Sequence, residues 1–274
     1  MAKQPVFIAS DLSARNDRAV DRAIMLGRQI GQDVGFVHVR KSGAKDAQDI
    51  EKLEELARNS FPDPAADIDI HLPSGSPPET VGKLAAESDA SVIVCAVARF
   101  NGLNDYFTGT AVDQIIVKGK RPVLVVKQRP HEDYCRLLVP VDFSPHSGHA
   151  LKVAAELFPE AEITLLHAYH VAYEGLQKDP HLREETKRLR EEALEEFLAD
   201  PELAALKGRL RIELVYGDIG SALLQSAEDL DPDLIVAGTH GSGGLRRLAL
   251  GSIASSMLAW VSQDVLVVPP GDRG

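Results

Sequence analysis

The sequence predicts an α/β protein made of two tandem doubly wound domains, each a mainly parallel sheet with helices on both faces. Three observations predict it: a set of motifs that occurs twice in the same order, strand runs that are apolar throughout, and amphipathic segments between them. The repeat rests on four matches. Val6–Ser13, which closes in Asp11-Leu12-Ser13, corresponds to Leu137–Ser144, which closes in Asp142-Phe143-Ser144, and the two aspartates stand 131 residues apart. Phe36-Val37-His38-Val39 corresponds to Leu165-Leu166-His167-Ala168, Ser91–Ala96 to Asp233–Gly238, and Pro122–Val126 to Asp264–Val268. The order is kept and the offset drifts only between 129 and 142 residues, the mark of a tandem duplication with small insertions. The join falls in the polar stretch Gln128–Tyr134, which carries Pro130, so the domains are expected over residues 1–130 and 133–274.

Each element follows from period and length. In the second repeat, Val/Ile/Leu runs near 136–142, 162–169, 209–217, 234–238 and 265–268 read as strands. Their continuous apolar character implies burial on both faces, as in a parallel sheet covered by helices. The intervening stretches near 146–158, 178–199, 219–230 and 250–261 read as helices. In the second of these, Leu182, Leu189, Ala193 and Phe197 share one face, and the Arg/Lys/Glu-rich remainder is expected to be solvated. Ligands in such folds bind beyond the carboxyl ends of the strands, near the point where the strand order reverses. The residues to watch are therefore Asp142, Ala168 and Gly238, which end the first, second and fourth strands of the second repeat.

Composition narrows the function. The 274 residues are 44% hydrophobic and 26% charged, a globular balance, and aromatics are only 5%, so the core must be aliphatic. A formal charge of -11 repels a phosphate backbone and argues against a nucleic-acid partner. Two cysteines, Cys95 and Cys135, are too few for a four-ligand metal knot or a disulfide framework, and Cys95 sits in an apolar run that suits a buried free thiol. No run of eighteen apolar residues occurs, and Met-Ala-Lys-Gln-Pro leads straight into a strand-like run. No membrane span or signal peptide is therefore expected, and the cytoplasm is the expected location.

The chemistry concentrates after the fourth strand of the second repeat. Gly238-Thr239-His240-Gly241-Ser242-Gly243-Gly244 is followed, after Leu245–Leu250, by Gly251-Ser252-Ile253. The skeleton is G-x-x-G, nine residues, then G-S. Glycines let a backbone approach a ligand closely, and a helix start supplies orphan N–H donors with a partial positive charge, which together suit phosphate oxygens. Taken alone, the same segment reads equally well as a surface loop with Ser252 at a helix start; its place after a buried strand favours phosphate. Neither G-x-x-x-x-G-K-[ST] nor an early G-x-G-x-x-G is present, nor is G-x-S-x-G, which excludes P-loop NTPases, dinucleotide dehydrogenases and the usual hydrolase elbow.

With the aspartate that ends strand one, the Leu-His-Ala close of strand two and the full G-x-x-G…G-S pattern, the chain resembles the ATP-binding branch of the universal stress proteins over nearly its whole length. That resemblance implies an adenine-nucleotide-binding, Rossmann-like fold with strand order 3-2-1-4-5, in which fifth strands pair across a dimer. A tandem chain can satisfy that pairing internally as a pseudo-dimer of domains, and a homodimer through other surfaces stays open. Edge exposure also leads one to expect an isolated second repeat to pair with its own copy through the same strand. The resemblance further implies that Pro140, Val141 and Asp142 meet the adenosine portion, that Ala168 contacts the adenine, and that Ala237, Gly238, Gly241, Gly251, Ser252 and Ile253 form the phosphate cradle. Asp142 also suits the cap of the next helix, although Ser144 is better placed for that. His167 reads as a packed strand-end residue, His240 as a solvent-facing one, and Arg246 and Arg247 as either solvated or directed to the terminal phosphates.

The first repeat has lost most of this loop. Ala96 stands for Gly238 and Arg99 for Gly241, only Gly109-Thr110 retains the second glycine pair, and Asn104, Asp105 and Asp113 add no positive charge. One ATP per chain is therefore expected, alone or with Mg²⁺. No constellation activates a nucleophile convincingly, so the reading is a regulatory, nucleotide-binding stress protein, at most a slow ATPase. The competing reading is a structural adaptor that works without nucleotide.

Overall fold

A computed structural model describes residues 4–40, 47–96, 111–170, 180–239 and 250–271. Along the first repeat it has β1 (Val6–Ala9), α1 (Asp17–Ile30), β2 (Val34–Val37), α2 (Ala47–Asn59), β3 (Asp69–His71), α3 (Pro77–Glu87), β4 (Val92–Ala96), α4 (Ala111–Lys118) and β5 (Val123–Val126). Along the second come β6 (Arg136–Pro140), α5 (Pro145–Leu157), β7 (Glu162–Tyr169), α6 (Pro180–Leu198), α7 (Pro201–Ala204), β8 (Leu210–Tyr216), α8 (Ile219–Leu230), β9 (Leu234–Gly238), α9 (Ser252–Trp260) and β10 (Asp264–Val268). The alternation of strand and helix is that of a doubly wound α/β fold.

The chain divides into two compact units, the first holding Met1–Asp133 together with Asp264–Pro269, so that β10 packs as part of it. Its strand order is β3-β2-β1-β4-β5-β10. The five strands of the first repeat are parallel and follow the 3-2-1-4-5 order implied by the resemblance. β10 closes the β5 edge in antiparallel register, with Val265 opposite Val125, Leu266 opposite Leu124 and Val267 opposite Val123. The expected pairing of the two fifth strands within one chain is thus observed. It removes a row of unpaired backbone groups that an exposed β5 would present.

Aliphatic strands bury the core, as the low aromatic content requires. Ile8, Phe36, Ile93 and Leu124 are fully buried. Gly35 has a specific reason to be glycine: it lies opposite Phe7 in the register, and a β-carbon on it would stand 2.5 Å from Phe7 Cε1. α1 stops at Gly31, which takes a left-handed φ of 68° that favours glycine. Cys95 is a buried free thiol, as expected, and desolvation pushes its pKa up to about 12.

The second unit holds the four parallel strands in the order β9-β6-β7-β8. Its helices fall close to their expected spans, with two differences. Leu189 was expected on the packed face of α6 but is 52% exposed, whereas Leu194 and Leu198 are buried. The fully buried residues of α6 lie in its last two turns, flanked by the half-buried Ala193 and Phe197, and Leu189 lies a turn before them. The short helix α7 was not anticipated. Its signal was present: Asp200 accepts the N–H of Glu202 at 2.8 Å, and Pro201 occupies the first turn.

Candidate functional site

Among the described residues, the four strands of the second unit run in parallel, so their carboxyl ends share one edge. The chain fills β6, β7 and β8 outward to one side and then returns to place β9 on the other side of β6. The reversal of strand order therefore lies between β6 and β9, where ligands of such folds bind. Pro140, Val141 and Asp142 leave the end of β6 there, and Ala237 and Gly238 close β9 beside them.

The exit from β6 is held by two hydrogen bonds. The N–H of Val141 donates to the Leu166 carbonyl at 2.8 Å, extending the ladder by one step. The carbonyl of Val141 in turn receives His167 Nδ1 at 2.9 Å. A carbonyl can only accept, so this contact fixes the proton on Nδ1 and leaves Nε2 as a lone pair. Nε2 is buried with no hydrogen-bond partner among the described residues. Burial lowers the His167 pKa, and the positive Arg190 adds to this; the Val141 carbonyl and Asp142 act in the opposite direction without overcoming it. The imidazole is thus neutral at neutral pH and serves as a packed strand-end donor.

The next residues turn sharply. Phe143 adopts φ 62°, unusual for a bulky side chain, and its ring stacks on His167 with centroids 4.0 Å apart and planes 23° from parallel. Phe197 of α6 lies beyond, at 5.5 Å. The left-handed step is thus compensated by aromatic packing. It leaves Asp142 half-buried at the strand end, its Oδ1 accepting the Ser144 N–H at 3.1 Å. The cap of α5 is Ser144, whose hydroxyl accepts the Ser147 N–H at 3.2 Å. Asp142 is therefore not the residue that caps the helix.

Ala168 follows His167 on the opposite face of β7 and is half-buried. On β9, Ala237 is buried and Gly238 half-buried. The buried Thr239 then accepts the N–H of Gly251 through its carbonyl at 2.8 Å. That bond brings together the two ends of the glycine segment and sets Gly251 as the N-cap of α9, with φ −61° and ψ 154°. Because the Gly251 N–H is used in this way, the donors at this helix start are the backbone N–H groups from Ser252 onward. The side chain of Ile253 lines an apolar cleft with Leu223, Leu224 and Trp260. Its side chain thus has a packing role beside α8, leaving its backbone for any ligand. Gly241, His240, Arg246 and Arg247 lie outside the described residues.

The first unit repeats the strand-one exit. Ser10 N–H donates to the Val37 carbonyl at 3.0 Å, His38 Nδ1 donates to the Ser10 carbonyl at 2.9 Å, and Leu12 takes φ 59°. The aspartate differs in its company. Asp11 Oδ1 accepts the Ser13 N–H at 2.9 Å and also the side-chain amide of Asn16, where the second repeat has Ser147. Burial works to raise the Asp11 pKa, but the hydrogen bonds from Ser13 and the nearby His38 hold it below the usual carboxylate range. β4 ends in Ala96 where β9 ends in Gly238, and Arg99, Gly109 and Thr110 lie outside the described residues.

Sequence comparison matches the universal stress protein family over residues 3–127 and again over residues 133–269. The chain belongs to that family. Two relatives that match by sequence align with about half of this chain. Universal stress protein MJ0531 of Methanocaldococcus jannaschii is 30% identical over 141 residues, covering 49% of this chain and 82% of the relative. Universal stress protein A homolog 1 of Coxiella burnetii is 32% identical over 143 residues, covering 49% of this chain and 96% of the relative. Among solved structures, a universal stress protein from Archaeoglobus fulgidus covers 98% of this chain and 97% of its own at a TM-score of 0.64 and 20% identity. A functionally unknown protein, PA1789 of Pseudomonas aeruginosa, covers 99% of this chain and 94% of its own at a TM-score of 0.65 and 19% identity. These full-length likenesses establish a shared fold for this tandem universal stress protein.

The sequence did not single out Thr239, whose carbonyl ties the loop ends, nor the stacking of Phe143 on His167. The first had no composition signal. The second was foreshadowed by an aromatic residue beside Asp142, but only the left-handed turn shows why the ring folds back.

Proposed function

We infer that this universal stress protein binds one ATP per chain, at the β6–β9 crevice of its second unit, and that binding serves a regulatory role in the stress response. The observation that carries the reading is the contrast between repeats at the end of strand four: Gly238 and the Thr239–Gly251 bond in one, Ala96 in the other. Asp142 supplies an acceptor for a ribose hydroxyl, since a half-buried carboxylate pairs well with a sugar donor. Pro140, Val141 and Ala168 supply apolar contact for the adenine. Gly238, Gly241, Gly251, Ser252 and Ile253 supply backbone at the phosphates, where the positive end of α9 favours an anion.

The protein acts in the cytoplasm as a binding module whose surface differs between its free and ATP-bound states, and any hydrolysis is slow beside binding. Mass spectrometry of nucleotide released from gently purified protein tests the reading. Adenine nucleotide near one mole per mole of chain supports it. Protein that carries no nucleotide and takes up none on incubation with ATP favours the adaptor reading, in which the tandem fold works without ligand.

A further inference from the structure

The carboxylate of Asp264 is the most deeply buried acid among the described residues of the first unit, with 1% of its residue exposed, and it begins β10. Its Oδ1 accepts two backbone N–H groups from the residues that follow β5, Lys127 at 2.7 Å and Gln128 at 3.0 Å. Its Oδ2 lies 3.5 Å from Arg22 Nε of α1, itself buried. Arg22 also donates to the Glu132 carbonyl at 2.7 Å, and Arg18 donates to that of Lys127 at 3.0 Å. A charge removed from water to this degree is tolerable only because each of its oxygens meets a donor or a cation.

The repeat shows what would become of that carboxylate elsewhere. Along the 142-residue offset that relates Pro122–Val126 to Asp264–Val268, Lys127 corresponds to Pro269 and Gln128 to Pro270. Proline has no backbone N–H. Along the 131-residue offset that relates Asp11 to Asp142, Arg22 corresponds to Val153. A β10 paired with the β10 of a second copy, in the same antiparallel register, would set each Asp264 against Pro269 and Pro270, with Val153 in place of the arginine. Both donors and the cation would be missing at once. The β5 edge has no matching defect, because Pro122 stands where Asp264 would.

We propose that Asp264 selects the partner of the C-terminal strand. It commits β10 to the β5 edge of its own chain's first unit, which offers two N–H groups and a buried arginine, and rejects the β10 of a second copy. Edge exposure alone predicts self-pairing of this strand, and the acid with its facing prolines is the feature that prevents it. The proposal is independent of nucleotide binding, since none of these residues belongs to the candidate site.

Substitution in the full chain tests it. Lys127→Pro with Gln128→Pro removes both donors and copies a dipeptide the second repeat already carries at this place. Amide exchange at residues 265–268 should accelerate at least tenfold while β6 and β7 keep their protection, and the sedimentation mass should stay that of the wild-type chain. Adding Pro269→Lys, Pro270→Gln and Val153→Arg gives β10 the missing donors and the missing cation, so the fivefold variant should associate to twice that mass and regain protection at 265–268. Wild-type protection at 265–268 in the twofold variant, or its association through β10 with the prolines still present, overturns the proposal. As a check against misfolding, Asp264→Ala alone should loosen residues 123–126 and 265–268 together, and Asp264→Asn, which keeps the acceptor, should loosen them less. Unchanged exchange in Asp264→Ala would also overturn it.

Discussion

His167 Nδ1 lies 2.9 Å from the carbonyl oxygen of Val141, and in the other repeat His38 Nδ1 lies 2.9 Å from the carbonyl oxygen of Ser10. In both places the acceptor precedes the aspartate that ends strand one, and the residue after that aspartate turns left-handed, at φ 62° for Phe143 and 59° for Leu12. A histidine at the end of one strand thus fixes the exit of its neighbour. The arrangement is present in both repeats, including the one whose fourth strand ends in Ala96, so it belongs to the fold the repeats share rather than to the glycine segment.

A first prediction follows from that geometry. His167→Leu fills the space but removes the donor, leaving the Val141 carbonyl unsatisfied and Asp142 less firmly aimed. A lost hydrogen bond of this kind costs about 1 kcal/mol, so ATP affinity should fall roughly five- to tenfold. His167→Asn, which can still donate, should recover part of the loss. Equal affinities of wild type and His167→Leu in titration calorimetry would show that the contact does not reach the site.

The same histidine has a pH signature. Burial lowers its pKa in the folded protein, so the unfolded chain binds its proton first as pH falls. Its contribution is complete above about 6.5, the ordinary histidine value, and is lost progressively below it. His149, also lowered by burial and by Lys152, has the same sign. Urea midpoints measured from pH 7.5 down to pH 5 should decline, and less steeply in His167→Asn than in wild type. Identical slopes would place the proton-linked loss elsewhere.

Thiol chemistry separates the two cysteines. Cys95 is buried with its pKa pushed up to about 12, whereas Cys135 is exposed. A thiolate-specific reagent at pH 8 should titrate one thiol per native chain, and two in denaturant. Rapid reaction of both in the native protein would contradict the packing of β4.

The duplication and the strand spans were legible because parallel strands buried on both faces read as unbroken apolar runs, and the two copies support each other; the 3-2-1-4-5 order came from the resemblance to the universal stress proteins, since apolar runs mark strands but not their neighbours. The ends of β6, β7 and β9 were legible too, since Asp142, Ala168 and Gly238 close apolar runs before polar or glycine-rich sequence. What escaped was long-range. Leu189 fits a helical face by spacing, yet only tertiary packing decides that α6 meets the core a turn later, at Leu194 and Leu198. The Thr239–Gly251 bond joins backbone groups, which leave no mark in side-chain type. The burial of Asp264 depends on donors more than a hundred residues away, and an acid at the head of an apolar strand reads in sequence as an ordinary turn residue.

Helix capping offers a stability test independent of ligand. Ser144 accepts the Ser147 N–H and is buried, so Ser144→Ala should leave that donor without its cap and lower stability by about 1 kcal/mol in urea unfolding. A change within error would mean that water replaces the cap at no cost.

On the proposed reading, the second repeat of this universal stress protein binds ATP and the first does not. Titration calorimetry of the full chain with ATP, repeated on Gly241→Arg, which copies the first repeat's residue, tests it most directly. Wild type should bind one ATP per chain and the variant none, with unchanged circular dichroism. Two equivalent sites in the wild-type chain, or full binding by Gly241→Arg, would contradict it.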